Sequence, residues 1–155
     1  RGLDLVILGV YVDDILIAEE TKERVEDVVE YIKTKYKIDL LGEINWFLGI
    51  GIERDGNELR MSQKSAIEGI LKRFNMEDAN EYTIPVEPKK VYSKCDSPVI
   101  GSPEHQEMKD VPYRQAVGSL IYLAKCTRPD IAYAVSLASR FLSNPGKKTV
   151  RLEFG

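Results

Sequence analysis

Two adjacent carboxylates, Asp13 and Asp14, follow Tyr11 and Val12 at the end of the apolar run Leu5 to Val12, and Ile15-Leu16-Ile17-Ala18 comes directly after them. Two apolar, β-branched strands around a two-residue polar break predict a tight hairpin with Asp13-Asp14 at its turn. Asp-Asp is a poorer turn than Asp-Gly, and the two negative charges repel each other. A divalent cation resolves that conflict, because hard oxygen donors at a rigid strand end suit Mg²⁺ or Mn²⁺. Period-two alternation puts Tyr11 and Asp13 on the same face, so an aromatic ring and a carboxylate would look at one substrate. The plain alternative is a pair of solvated turn residues.

A second hairpin is predicted from Trp46-Phe47-Leu48-Gly49-Ile50-Gly51-Ile52-Glu53-Arg54, through the turn Asp55-Gly56-Asn57, to Glu58–Met61. In Leu48 to Ile52 the aliphatic residues share one face and the two glycines the other. A stripe without side chains weakens a strand, so it marks the close approach of another backbone. A sugar-phosphate chain is one candidate; a β-bulge or tight packing against a neighbouring helix is the alternative.

The elements that position these residues follow from apolar spacing. Thr21 is a candidate N-cap for a helix carrying Val25, Val28, Val29, Ile32 and Tyr36, with Lys33, Lys35 and Lys37 toward its C-terminal end and Gly42 helping to end the region. Ser62 is a candidate cap for a helix with Ala66, Ile67, Ile70, Leu71 and Phe74 on one face. From Ala79 to Val111 four prolines, many charges and little periodicity predict a flexible connector. Order resumes at Asp110-Val111-Pro112, with Tyr113, Val117, Leu120, Ile121 and Ala124 on one helix. A second helix restarts at Thr127-Arg128-Pro129-Asp130, carries Ile131, Ala134, Val135, Ala138, Phe141 and Leu142, and stops at Asn144-Pro145-Gly146.

Composition sets outer bounds. The 155 residues, 43% hydrophobic and 30% charged, have an ordinary globular balance. The net charge of -3 means that any nucleic-acid contact must come from local patches. Cys95 and Cys126 have no C-x-x-C partner and His105 is the single histidine, so no zinc-type cluster is proposed, and free thiols suit a reducing compartment. Leu5 to Val12 is too short to span a bilayer, so no membrane partner is expected. The chain starts at Arg1 within a pattern and reads as an excerpt from something longer.

Four blocks, in order, resemble the reverse transcriptase of copia-type LTR retrotransposons. Tyr11-Val12-Asp13-Asp14-Ile15-Leu16-Ile17 is similar to the family's catalytic hairpin. Leu41-Gly42-Glu43-Ile44-Asn45-Trp46-Phe47-Leu48-Gly49-Ile50 is similar to the segment leading into the primer grip. Pro112 to Leu123 resembles a thumb helix, and Thr127 to Val135 the helix after it. The resemblance covers residues 3 to 146.

What the resemblance implies is an RNA-directed DNA polymerase (a nucleotidyltransferase) of a retroelement Pol polyprotein, joining nucleotides with two metals. Asp13 and Asp14 would be metal ligands, Asp13 the firmer one, and Tyr11 and Val12 would lie near the primer terminus and incoming dNTP. Trp46, Phe47, Leu48, Gly49, Ile50 and Gly51 would position the primer 3′ end, and Arg114, Lys125 and Arg128 become candidates for phosphate contacts along an RNA/DNA template-primer duplex. The implied partners include the rest of the polyprotein, its fingers and ribonuclease H; the implied location is cytoplasmic, in virus-like particles where the element is active. A third carboxylate would come from upstream of Arg1, since Asp4 is on the same strand and too near in sequence, so the chain alone is expected to be inactive.

The expected architecture is α+β: a partial polymerase palm of antiparallel hairpins with a backing helix, and a mostly helical thumb. Its divisions would be residues 1–61 for the partial palm, 62–78 for the first thumb helix, 79–111 for the connector, 112–146 for the thumb helix pair, and 147–155 for a tail unlike the family's continuation. A non-catalytic nucleic-acid-binding remnant is the second reading. A third, an unrelated α/β phosphotransferase, calls for a phosphate loop or a further carboxylate that the sequence lacks.

Overall fold

The computed structural model describes residues 5–80, 83–86 and 92–154; Asp4 and parts of the expected connector and tail lie outside them. The chain is α+β and divides into two compact units, Arg1–Glu43 and Ile44–Gly155. Among the described residues the strands form two antiparallel sheets, one in each unit.

In the first unit β1 (Ile7–Tyr11) pairs with β2 (Asp14–Ala18), Ile7 opposite Ala18 and Tyr11 opposite Asp14. The helix α1 (Lys22–Lys33) turns Val25, Val28, Val29 and Ile32 inward, as their spacing predicts, with Val29 buried. Thr21 occupies the N-cap position with extended backbone, but its side chain makes no capping bond. Its amide instead donates to Glu19 Oε2 (2.6 Å), and Arg24 donates to Glu19 Oε1 (2.9 Å). The Arg24 hydrogen bond and then the Thr21 amide hold the Glu19 carboxyl below the usual carboxylate range.

In the second unit the expected strand Trp46–Arg54 is two strands, β3 (Trp46–Phe47) and β4 (Ile50–Asp55), followed by β5 (Glu58–Ser62). The chain reverses at Leu48-Gly49, and again at Gly56-Asn57 between the paired Asp55 and Glu58. Gly56 has φ +58°, the left-handed backbone that glycine allows at the first central position of a hairpin turn. Cross-strand partners share a face, so Phe47, Ile50, Ile52, Leu59 and Met61 lie on one side and Trp46, Gly51, Glu53 and Arg60 on the other.

Helix α2 runs Lys64–Arg73 with Gln63, rather than Ser62, at its N-cap; the Ser62 hydroxyl still accepts from the Lys64 amide (3.2 Å). Within the expected connector, residues 92–111 carry a 3-10 turn at Lys94–Asp96 and a short helix, α3 (Pro103–Glu107), while residues 81, 82 and 87–91 lie outside the description. Tyr92 and Met108 in this stretch are buried.

The long helix α4 (Tyr113–Cys126) and α5 (Ala132–Ser139) form the centre of the unit. The expected helix from Thr127 to Asn144 is shorter than predicted: a 3-10 turn at Pro129–Ile131 precedes α5, and hydrogen-bonded turns carry the chain on to Asn144. Tyr92, Tyr113, Val117, Ala138 and Phe141 make the core cluster. The Tyr113 ring is 1% exposed, and its hydroxyl donates to the Ala138 carbonyl (2.9 Å). Burying a ring of this size stabilises by about 1.5–3 kcal/mol, and the hydroxyl avoids the cost of a stranded buried donor.

The last segment is a helix, α6 (Lys147–Phe154), that begins where Gly146 meets the 92–107 stretch. Lys148 pairs with Asp96 and lies 5.8 Å from the Tyr92 ring centre, Lys147 pairs with Glu107, and the Lys147 amide donates to Glu104 Oε1 (2.9 Å). A Cβ on Gly146 would fall 2.6 Å from the Asp96 carbonyl oxygen. Gly146→Ala is therefore expected to destabilise this unit by about 1–3 kcal/mol, read as a lowered urea midpoint with Trp46 fluorescence as the signal; an unchanged midpoint would show that α6 is not clasped here. The Lys148 hydrogen bond, then the Ser93 amide, hold Asp96 below the usual carboxylate range. A depressed folded pKa gives stabilisation that is complete above the unfolded value of about 3.9 and is lost as pH falls through the folded one. Asp96→Asn should flatten the pH dependence of the thermal midpoint in that acidic window, and an unaltered slope would contradict the pairing.

Candidate functional site

The first hairpin turns at Val12-Asp13, one residue earlier than expected, with Tyr11 and Asp14 closing it as a cross-strand pair. Two consequences correct the sequence reading. Asp14 belongs to β2, and it is Asp14, not Asp13, that shares a face with Tyr11. Alternation along a strand does not carry through a turn, so the face is set by the register across the hairpin.

Val12 has φ +52°, while Asp13 has none in the left-handed region. A two-residue turn with positive φ at its first central position is the II′ arrangement, in which glycine is the fitting residue. A β-branched residue there is a backbone outlier that costs about 1–2 kcal/mol. The side chain does not repay this by packing, since Val12 is 82% exposed. Strain of this kind, held by the strands on either side, clusters at functional sites.

Asp13 and Asp14 are exposed, and their carboxylates make no hydrogen bond or ion pair among the described residues. Tyr11 is exposed too, at 57%. The two carboxylates are hard-oxygen donors of the kind Mg²⁺ or Mn²⁺ takes, so they fit the implied metal as two of its ligands. Among the described residues no group of three or more His, Cys, Asp or Glu side chains could hold a metal ion, so the remaining ligands are not supplied there.

In the second unit, Trp46, Phe47, Leu48, Gly49, Ile50 and Gly51 form one small hairpin, with Leu48 (φ +50°) and Gly49 (φ +81°) as its two turn residues. The glycines do not share a bare stripe. Gly49 is in the turn, where an added Cβ would press on the Tyr122 hydroxyl, and a Cβ added at Gly51 would lie 3.6 Å from the Trp46 ring, an ordinary contact. Positive φ alone favours glycine at 49, and the close approach there comes from a side chain of a neighbouring helix, the alternative to an approaching backbone. The Trp46 indole covers Gly51 and remains 53% exposed.

Sequence reasoning missed two residues that hold this hairpin. Tyr122 on α4 donates its hydroxyl to the Leu48 carbonyl (2.8 Å). Gln63, 1% exposed, accepts through Oε1 from both the amide (3.1 Å) and the hydroxyl (2.7 Å) of Thr127, where α4 ends. Neither contact has a local signal, because the partners are 74 and 64 residues apart. Only Gly49 hinted at one of them.

Of the candidate phosphate contacts, Arg114 and Lys125 are exposed near opposite ends of α4. Eleven positions, about three turns, separate them, so they lie on one stripe about 16 Å apart. Arg114 uses Nε to donate to the Leu142 carbonyl (2.8 Å) and lines a cleft of about 540 Å³ together with His105, Lys109, Asp110 and Asn144. The Gly101 amide donates to His105 Nδ1 (3.2 Å), which leaves Nε2 to carry the proton of the neutral ring. Arg128 is differently placed: it grips Asp130 with Nε (3.0 and 3.2 Å) and a terminal nitrogen (2.8 Å), a pairing that raises its own pKa and lowers that of Asp130. A phosphate at Arg128 would compete with that carboxylate, so Arg114 and Lys125 are the better placed of the three.

No helix among the described residues is long and apolar enough to cross a membrane. The sequence pattern of the family described as "Reverse transcriptase (RNA-dependent DNA polymerase)" matches residues 1–88. The chain is 40% identical over 147 residues to the retrovirus-related Pol polyprotein from transposon TNT 1-94 of Nicotiana tabacum, covering 94% of this chain and 11% of that protein. It is 35% identical over 145 residues to the retrovirus-related Pol polyprotein from transposon RE1 of Arabidopsis thaliana, covering 94% of this chain and 9% of that protein. A putative transposon Ty5-1 protein of Saccharomyces cerevisiae is 31% identical over 150 residues, covering 96% of this chain and 46% of that protein. The chain thus spans about a tenth of the first two relatives. No solved structure matches.

The turn assignment is open to a direct check. Val12→Gly removes the left-handed penalty at the cost of a more flexible unfolded chain, and a net gain of about 1 kcal/mol is expected in the hairpin. Slower hydrogen exchange at the Asp14 amide would report it; faster exchange would show that Val12 is not the strained position.

Proposed function

The chain belongs to the reverse transcriptase (RNA-dependent DNA polymerase) family, and from that premise we propose that it is the part of a retrotransposon polymerase that carries the paired metal-binding carboxylates and the primer-contacting hairpin. The observation that carries the reading is the pair Asp13-Asp14 at a strained, exposed hairpin tip, with no protein partner among the described residues. Carboxylates with no protein partner, beside a backbone held out of its relaxed geometry, suit a metal-dependent transfer better than a purely structural turn.

In this reading the Arg1–Glu43 unit and the β3–β5 sheet are parts of the polymerase palm, and α2, α4 and α5 belong to the thumb. Asp13 and Asp14 hold Mg²⁺ or Mn²⁺, whose chemistry when bound is to acidify a primer 3′-hydroxyl and offset the charge of a nucleoside triphosphate. Tyr11, beside Asp14 on one face of the hairpin, and Val12 at its tip meet the primer terminus and the incoming nucleotide. Trp46 to Gly51 position the primer end, and Arg114 and Lys125 contact phosphates of the template-primer duplex. Further ligands and the fingers come from the rest of a Pol polyprotein, acting in the cytoplasm within virus-like particles, so the chain alone is inactive.

A second reading keeps the Arg114 and Lys125 surface and drops the chemistry: a nucleic-acid-binding remnant of a degenerate element. It needs only the exposed Arg114 and Lys125 near opposite ends of α4. One experiment separates the two. A chain extended with the fingers and the remaining palm should extend a DNA primer on an RNA template with Mg²⁺ or Mn²⁺, and Asp13→Asn should reduce extension to background while leaving duplex binding within about twofold. Retained extension in that variant rules out Asp13 as a metal ligand; duplex binding without extension in the parent favours the remnant.

A further inference from the structure

We infer that the Tyr122 hydroxyl is a positioning group for the Leu48-Gly49 turn, setting the pose in which the Trp46–Gly51 hairpin meets a primer end; the second half of this rests on the primer-contact reading given above. Both central residues of the turn have left-handed backbone, φ +50° at Leu48 and +81° at Gly49. Glycine tolerates this and leucine does not. The Leu48 side chain is 40% exposed, so its own packing is a weak anchor. Strand β3 contributes two cross-strand pairs, Trp46 with Gly51 and Phe47 with Ile50, and the Ile52 amide donates to the Asn45 carbonyl (2.8 Å), still a short ladder to impose a strained turn.

Further support comes from α4. Tyr122 Oη donates to the Leu48 carbonyl at 2.8 Å and fills the space that a Cβ on residue 49 would need. The helix that presents it is fixed by buried Tyr113, Ala116, Val117 and Leu123, so the oxygen stands on a rigid support. The contact adds a steric reason to the left-handed backbone for glycine at 49, and it gives the hydroxyl at 122 a role. A phenyl ring would fill the ring's share of the space equally well, so the oxygen is the informative atom.

The test uses the 155-residue chain with Tyr122→Phe, Gly49→Ala and both together. Gly49→Ala should lower the urea midpoint more when the Tyr122 hydroxyl is present than when it has been removed, because removal frees the space; strictly additive effects would overturn the inference. Tyr122→Phe alone should move the Gly49 amide nitrogen resonance, which reports on the Leu48 carbonyl, and an unmoved resonance would equally overturn it. For the functional half, binding is followed by anisotropy with a labelled duplex bearing a recessed 3′ end against a blunt one. Tyr122→Phe should cut the preference for the recessed end about fivefold, the scale of one hydrogen bond, when binding is read well below a thermal midpoint that falls by only a few degrees; a preserved preference would overturn the positioning role. Should the parent chain show no preference, the primer-contact reading fails, while the urea cycle and the Gly49 resonance still decide whether Tyr122 sets the turn.

Discussion

Buried or approached backbone carbonyls must find donors, and in the Ile44–Gly155 unit helix α4 meets that demand. From its first turn Tyr113 donates to the Ala138 carbonyl inside the core. Near its last turn Tyr122 donates to the Leu48 carbonyl of the small hairpin. Where the helix ends, Thr127 gives both its amide and its hydroxyl to the buried Gln63. Each bond has a net worth of only about 1 kcal/mol, but leaving the buried Ala138 carbonyl or Gln63 Oε1 unmet would cost more. The outcome is a single helix that fixes α5 at one end and the β3–β5 sheet at the other.

That arrangement bears on how the candidate primer-contacting residues gain a defined pose. Trp46 and Gly51 are on a two-residue strand and its partner, a scaffold too small to be rigid alone. Tied to α4 through Leu48, and to its C-terminal end through Gln63, the hairpin inherits the order of the core formed by Tyr113, Val117, Ala138 and Phe141. The paired acids in the other unit have a different economy. Asp13 and Asp14 stand on a two-stranded hairpin whose tip is exposed and whose first turn residue is strained. Exposed, unpaired acids and a left-handed valine do nothing for the stability of this chain, which is consistent with a role toward a metal and a nucleic-acid end.

The segment from 92 to 107 and the helix α6 show how charge can order a stretch that hydropathy leaves blank. Tyr92, Pro98 and Thr149 are buried there, and Lys147, Lys148 and the Lys147 amide find Glu107, Asp96 and Glu104. Gly146, pressed against the Asp96 carbonyl, lets the two segments close on each other.

Local chemistry was enough to reveal the hairpins, the amphipathic helices and the paired acids. Apolar runs, the Asp55-Gly56-Asn57 turn, the spacing of Val25 to Ile32 and the sequence from Tyr113 to Val117 are properties of neighbouring residues, and the reverse transcriptase family membership followed from motifs written the same way. Two kinds of fact were not legible. The turn register, Val12-Asp13 in place of Asp13-Asp14 and Leu48-Gly49 within what looked like one strand, depends on pairing across strands, and a slip of one residue moves a side chain to the other face. The partners of Gly49, Gln63, Gly146 and Lys148 depend on segments about 50 to 74 residues away brought together by folding, and no periodicity encodes which of them will touch.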